Sequence, residues 1–261
     1  MLLWMYFSMV KLTLLVPTFN EEKVLARCLE SVCNLADEIL VVDSFSTDGT
    51  LEIAKRFGAK IIQREYENSA SQKNWAIPQA LNSWILLLDA DEWLTNELHD
   101  EISKIISSKI EPIESGFWIY RSNHFLGKRV RFSGWQGDKV IRLFKRDECA
   151  YESQSVHSEI VTKGKLSTLS CRMNHDTFKG TQAWENKLIR YADWQAHDYD
   201  KKMGKVTAFH TLVKPAYRFI KHFVLSGGFL DGYVGYRISK YAAWSVYLRY
   251  EKVLEIRSKH K

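Results

Sequence analysis

Two carboxylates two residues apart, Asp89 and Asp91, follow the apolar run Trp84-Ile85-Leu86-Leu87-Leu88. Acids at the end of a buried segment are costly unless something neutralises them. A divalent cation does so, and an oxygen-only donor pair suits Mg2+ or Mn2+. A cation held there can bridge a diphosphate and stabilise it as a leaving group. Taken alone, the pair also reads as a turn in which Asp91 or Glu92 starts the next helix. A further acid, Asp43, closes the apolar run Glu38–Asp43 and is followed by Ser44-Phe45-Ser46-Thr47-Asp48-Gly49-Thr50. An acid so placed can accept from a base N–H or a ribose hydroxyl. Asp48, Gly49 and Thr50 read as a turn capping a helix. His157 has three readings: a metal ligand beside Asp91, a diphosphate contact, or a structural histidine holding its loop. Arg142 and Arg146 alternate with Ile141, Leu143 and Phe144. One of them reaches a diphosphate or an acceptor phosphate, or both face solvent.

These residues need elements to hold them. Lys11–Pro17, Glu38–Asp43, Lys60–Arg64 and Trp84–Asp89 are short apolar runs that predict buried strands. Between them, Glu21–Val32 with Asn20 as cap, a segment from Thr47 or Asp48 to Phe57, and Ser69–Leu81 predict helices. Thr95–Ser108 predicts another, with Thr95 as N-cap. Such alternation predicts a parallel sheet covered on both faces, with ligands beyond the C-terminal strand ends. Thr18–Glu21, Asp43–Asp48 and Asp89–Glu92 all fall at those ends. Beyond Gly116, shorter strands are expected at Phe117–Arg121, Arg129–Phe132, Val140–Lys145, Ile160–Val161 and Lys165–Leu169. Thr181–Lys202 predicts a helix. The expected organisation is an apolar N-terminal extension over 1–10, an α/β domain over 11–200 and a basic helical tail over 201–261.

The composition narrows the class. Of 261 residues, 46% are apolar and 26% charged, which excludes intrinsic disorder for most of the chain. Cys28, Cys33, Cys149 and Cys171 form neither a disulfide framework nor a zinc pattern. The start, MLLWMYFSMV, is too short to span a bilayer and lacks a basic n-region, and Met9 is an alternative start. No run of about 18 apolar residues occurs, so no transmembrane helix is expected. The net charge of +6 is unevenly spread: residues 201–261 hold 13 Lys/Arg against 3 Asp/Glu. Interleaved with Tyr, Phe and Trp, these cations suit an anionic bilayer surface. A nucleic acid also fits such a patch, but nothing in the front half looks like a nucleic-acid reader. A helical cap with its cations on the wet side is the plainer alternative.

Four ordered motifs carry a resemblance: Val16-Pro17-Thr18-Phe19-Asn20-Glu21-Glu22, Val42-Asp43-Ser44-Phe45-Ser46-Thr47-Asp48-Gly49-Thr50, Gln72-Lys73-Asn74-Trp75-Ala76 and Leu88-Asp89-Ala90-Asp91-Glu92. Together they resemble family 2 of the glycosyltransferases. Trp135-x-x-Asp138-x-x-x-Arg142-Leu143-Phe144-x-Arg146, Val156-His157, Lys214-Pro215 and Gly228-Phe229-Leu230-Asp231-Gly232 narrow it to the lipopolysaccharide-core beta-glucosyltransferase branch. That branch shows Val-His-Glu where this chain has Val156-His157-Ser158-Glu159.

The resemblance implies the GT-A fold: a Rossmann-like mixed α/β sheet with helices on both faces, here with a basic C-terminal helical tail. It implies a metal-dependent inverting enzyme that moves a hexose, glucose from UDP-glucose, onto a lipid-linked saccharide such as the lipopolysaccharide inner core. Polyprenyl-phosphate and capsule transferases of the same fold, or a non-catalytic nucleotide-sugar-binding module on the membrane, are the rival readings. Pro17, Phe19 and Glu21 would line the uridine pocket, Asp43 would bind base or ribose, and Lys73 would lie near the nucleotide. Asp89 would face ribose and metal, and Asp91 would ligate Mg2+ or Mn2+. Inversion needs a base on the far side from UDP. Asp138 is preferred, because two glycines and Trp135 beside it suit a loop touching a sugar ring; Glu159 is the fallback. The expected place is the cytoplasmic face of the inner membrane, bound peripherally to anionic lipid.

Overall fold

The computed structural model describes residues 10–152, 159–176 and 181–259. The elements run β1 (Leu12–Thr18), α1 (Leu25–Glu30), β2 (Glu38–Asp43), α2 (Thr50–Arg56), β3 (Lys60–Gln63), α3 (Ser69–Ala76) and β4 (Trp84–Leu87). Next come β5 (Glu92–Trp93), α4 (Asn96–Ile106), β6 (Gly116–Phe125), β7 (Lys128–Arg129), β8 (Lys139–Lys145), β9 (Cys149–Tyr151), β10 (Ile160–Thr162) and β11 (Leu166–Asp176). Three helices follow: α5 (Thr181–Lys202), α6 (Lys214–Ile220) and α7 (Tyr233–Lys259). Contacts divide the chain into two units. One runs to Arg121 and resumes at Asp138–His175; the other is Ser122–Gly137 with the chain from Asp176 on. The expected boundary at residue 200 coincides instead with the end of α5, which belongs to the second unit.

In the first unit the strand order is β3-β2-β1-β4-β8-β6-β11-β5. β3, β2, β1 and β4 are parallel neighbours, and β8 is antiparallel to both β4 and β6. Side chains alternate between faces along each strand. Leu12, Leu14, Val16, Val41, Trp84 and Leu86 therefore share one apolar cluster with Leu25 and Leu29 of α1 and Leu98 and Ile102 of α4. Leu15, Leu40, Val42, Ile85 and Leu87 share the other with Ala70 and Ala76 of α3. Burial on both faces explains why these strands read as continuous apolar runs. Because β1 to β3 extend to one side and β4 to the other, the order reverses at β1. In sheets of this kind ligands bind beyond the C-terminal strand ends at such a reversal.

Three local expectations change. The first helix is only Leu25–Glu30 and Asn20 does not cap it. Asn20 has a left-handed φ of 54°. Its N–H donates to Ser46 Oγ at 2.9 Å, and its side-chain oxygen accepts from Thr47 N at 2.8 Å. Glu21 N donates to Thr50 Oγ1 and Gly49 N to Glu22 Oε2. The loop after β1 is thus stitched to the loop after β2 rather than to its own helix. The helix from Ser69 ends at Ala76 and continues as a 3-10 turn, Ile77–Gln79, since Pro78 lacks an N–H. Of the expected strand at 129–132, only Arg129 lies in β7, which pairs with β6 over Lys128–Arg129.

In the second unit, residues 131–133 are held by Asp231. Its carboxylate accepts from Arg131 N at 3.0 Å, Phe132 N at 2.9 Å and Ser133 Oγ at 3.0 Å. The turn bearing Asp231 is crossed closely by α7: a Cβ on Gly235 would lie 1.8 Å from the carbonyl oxygen of Gly228. Only glycine permits that approach. Phe125, Val130, Trp184, Val234, Ile238 and Tyr241 form this unit's core. Asp231→Ala should leave two backbone donors unpaired and lower unfolding stability by about 1–3 kcal/mol, read as a lower denaturant midpoint. Asp231→Asn, which retains an acceptor, should lose less; equal losses would mean that the clamp is not the cause.

Candidate active site

Beyond β4 the chain turns through Asp89-Ala90-Asp91-Glu92, and its three acids meet different surroundings. Glu92 is fully buried. Its Oε1 accepts from Arg121 Nη2 at 2.7 Å, Arg121 Nε at 2.9 Å and Arg142 Nη2 at 2.8 Å. Its Oε2 accepts from Asp89 N at 2.9 Å, closing the turn. Burial would raise Glu92's pKa, but Arg142 and Arg121 pull it below the usual value. Asp89 pairs with Arg142 Nη2 and with Lys73 Nζ at 2.9 Å. Burial opposes its charge too, yet Arg142, Lys73 and Arg121 hold it well below the carboxylate range. Burial likewise opposes the charge on Lys73, and Asp89 outweighs it, so the ammonium pKa is raised.

Asp91 differs. Burial, then the charges of Asp89, Glu92 and Glu21, push its pKa up to about 7, against the opposing pull of Arg121. Among the described residues its one ion-pair distance is 3.9 Å, to His175 Nε2. Burial lowers His175 to about 4, so this ring is neutral at pH 7. The register His175↔Glu92 between β11 and β5 sets the ring there. Asp91 and His175 are therefore the groups suited to a divalent cation, with Asp89 tied to its own cations. Among the described residues no three His, Cys, Asp or Glu side chains converge on one point.

The other expected residues divide. Asp138 joins the cluster: its Oδ2 is 3.5 Å from Arg121 Nη1, and its carbonyl accepts from Arg121 N at 2.9 Å. Glu159 is exposed, with its carbonyl accepting from Glu152 N. Lys73 and Arg142 are both buried and both on Asp89. Arg142 is also 3.3 Å from Tyr151 Oη, whose strand is held by both amide atoms of Asn74. Arg146 is not at the cluster; it pairs with Asp147 and donates to Ala80 O. Pro17 is half-buried, and Phe19 stands exposed beyond β1. Glu21 lies close enough to raise Asp91. Asp43 is buried and takes hydrogen bonds from Thr18 Oγ1, Ser46 Oγ, Ser46 N and Gln63 Nε2. A carboxylate has about four acceptor positions. Asp43 therefore organises the loop rather than presenting an open carboxylate. Trp135 packs edge-on against Trp184 in the second unit. His157 lies outside the described residues.

Four residues were missed by sequence reasoning: Glu92 as the buried anchor, Arg121, His175 and Phe45. Phe45 is exposed after β2 with a strained left-handed φ of 61°. For Arg121 and His175 the available signal was weak: one ends an expected strand, the other is a lone His in a strand of unmarked length.

A parallel sheet whose order reverses at β1, with paired acids after β4 and antiparallel strands beyond, matches the GT-A glycosyltransferase fold. The mannosyltransferase PcManGT from Pyrobaculum calidifontis, solved with GDP-Man and Mn2+, shares it with a TM-score of 0.53 at 16% identity, over 94% of this chain and 87% of that one. The sequence pattern described as Glycosyl transferase family 2 matches residues 13–109. A glycosyltransferase of Rickettsia typhi named only as uncharacterized is 30% identical over 97% of this chain and 90% of its own length. The chain belongs to glycosyltransferase family 2. The lipopolysaccharide core biosynthesis glycosyltransferase LpsC of Rhizobium meliloti is 27% identical over 92% of this chain and 93% of its length.

Glu92→Ala should take the shared carboxylate from buried Arg142 and half-buried Arg121 and lower stability by about 3–5 kcal/mol. Asp91→Asn removes a carboxylate held among like charges and should leave the unfolding midpoint unchanged or higher. Denaturant titration of both variants checks the division of roles; a large loss in Asp91→Asn with none in Glu92→Ala would reverse it.

Proposed function

We infer that this enzyme is an inverting hexosyltransferase dependent on Mg2+ or Mn2+. It would move glucose from UDP-glucose to a lipid-linked saccharide such as the lipopolysaccharide inner core. The observation that carries the reading is Asp91, a carboxylate among three other acids that lies 3.9 Å from the neutral His175 imidazole. It is the position at which a cation bound together with a nucleoside diphosphate is best accommodated. When bound, that cation supplies charge neutralisation at the departing diphosphate. Of the two bases considered, Asp138 is supported by its contact with Arg121, which links it to Glu92. Its carboxylate accepts the proton of the acceptor hydroxyl as the oxygen bonds to the anomeric carbon and the bond to UDP breaks. Phe19, with Pro17 and Glu21, would line the uridine pocket, and the exposed Phe45 would add a second ring to it. Asp43 would act there through the loop it holds. The name of LpsC supports the saccharide class of the acceptor. Mass spectrometry of the glycolipid from cells with and without the gene tests the reaction: one missing hexose is expected, and an unchanged glycolipid would sink the acceptor assignment.

Asp91→Ala should lower turnover by at least about 10²-fold, the scale of losing a strong electrostatic stabiliser. Near-normal turnover, with EDTA also harmless, would exclude metal dependence. Asp138→Asn retains shape without basicity, so kcat should fall roughly 10²–10⁴-fold while UDP affinity stays similar. A large loss in Glu159→Gln with none in Asp138→Asn would transfer the role to Glu159.

A further inference from the structure

The second unit carries a helical rod over 209–225 in which α6 is flanked by π-helical turns, Phe209–Val213 and Lys221–Leu225. No residue of the rod is fully buried. One side packs on α7: Lys214 Nζ donates to Tyr250 Oη at 2.8 Å, and Phe219 and Phe223 meet Tyr236 at ring distances of 6.1 and 6.4 Å. The other side should be polar if it faced only water. Instead, Phe209, Leu212, Val213, Tyr217, Ile220 and Val224 are each exposed by 49–66%. Leu225, Phe229 and Leu230 extend the exposed apolar surface past the rod. Their recurrence every three or four residues makes this one contiguous stripe rather than scattered apolar positions.

The charges beside the stripe have one sign. From residue 201 to 230 there are six Lys/Arg and no Asp or Glu. Arg218 and Lys221 of the rod are exposed as well. Among the described residues, no helix is long and apolar enough to cross a membrane. An apolar stripe on a rod whose own charged residues are all cations matches a surface that is apolar at depth and anionic above, which is the boundary of an anionic bilayer.

We propose that the outward face of the 209–225 rod is an in-plane membrane anchor. It lies along the bilayer with Leu212, Ile220 and Val224 below the headgroups and Arg218 and Lys221 at the level of lipid phosphate. Binding is therefore driven by apolar burial as well as by charge. The inference is independent of the donor, the metal and the acceptor, and its test uses none of them.

Flotation of the full chain with phosphatidylcholine vesicles containing about a quarter phosphatidylglycerol reads the anchor directly. The unmodified chain should float with these vesicles and much less with pure phosphatidylcholine. Raising salt from about 0.1 M to 0.5 M screens the charges and should weaken binding without abolishing it. The combined variant Leu212→Asp, Ile220→Asp and Val224→Asp should lose at least about tenfold in partitioning. Arg218→Gln with Lys221→Gln should still bind, more weakly and with less salt dependence. Slower amide hydrogen exchange over 209–225 on adding vesicles to the unmodified chain gives a readout that needs no variant. The proposal fails if the folded triple-Asp variant floats like the unmodified chain, or if exchange in the rod is indifferent to vesicles. It also fails if the unmodified chain ignores vesicles and light scattering shows a dimer that the triple-Asp variant dissolves. The stripe would then be a self-association surface.

Discussion

The first unit depends on one ionic cluster: Asp89 and Glu92 against Arg142, Arg121 and Lys73. A buried carboxylate and a buried guanidinium are each prohibitively placed alone, and together they are tolerable only with close geometry and every polar atom used. The acids come from the turn after β4. The cations come from β6, β8 and α3. The parallel half of the sheet therefore cannot present its acids in ionised form until the antiparallel half is in place. The bulge between Phe117 and Trp118, where the β6–β8 register shifts, lies just before the stretch of β6 that delivers Arg121. Buried ion pairs add little net stability, but they define geometry sharply, because any shift strands a charge.

The cluster also sets the difference between acids that are neighbours in sequence. Three cations serve Asp89 and Glu92 and leave Asp91 surrounded by negative charge. Adding one more arginine would quiet Asp91, and removing Arg142 would leave Asp89 competing for the same incoming cation. The arrangement makes one carboxylate of three available to bind something positive. It does so with a partner ring, His175, that burial holds neutral and so adds no charge of its own.

Much of the parallel half was legible because its signals are local. Continuous apolar runs mark strands buried on both faces, and β1 to β4 fall within a residue or two of the expected ends. The acids after β2 and β4 stand out for the same reason, since polar residues at the end of an apolar run are conspicuous. Cross-strand partners are not local. Arg121 and Glu92 are 29 residues apart, and no periodicity announces that pairing. Asn20 misled because Asn before a helical pattern reads as a cap, and its true partners, Ser46 and Thr47, lie 26 and 27 residues on. Asp43 was found by position, but its four donors could not be seen without the loop closing around it.

The C-terminal segment shows why counting charges is a poor guide to a surface. Its excess of cations is plain in the sequence, and each one invites assignment to the wet side. Lys214 and Arg237 are half-buried instead. Lys214 donates to Tyr250 and sits 5.0 Å from the centre of its ring, and Arg237 bonds Tyr233 and Tyr241. Aromatic faces hold cations well, so a segment rich in both can turn its charges inward and leave aliphatic side chains outside. A long cation also covers apolar surface with its stem while its head stays polar. The character of the face is thus set by which cations the tyrosines capture. With Lys214 captured, the outward side of the rod is an aliphatic and aromatic stripe with few charges, all of one sign. Water is a poor medium for that face, and lipid headgroups above acyl chains are a good one.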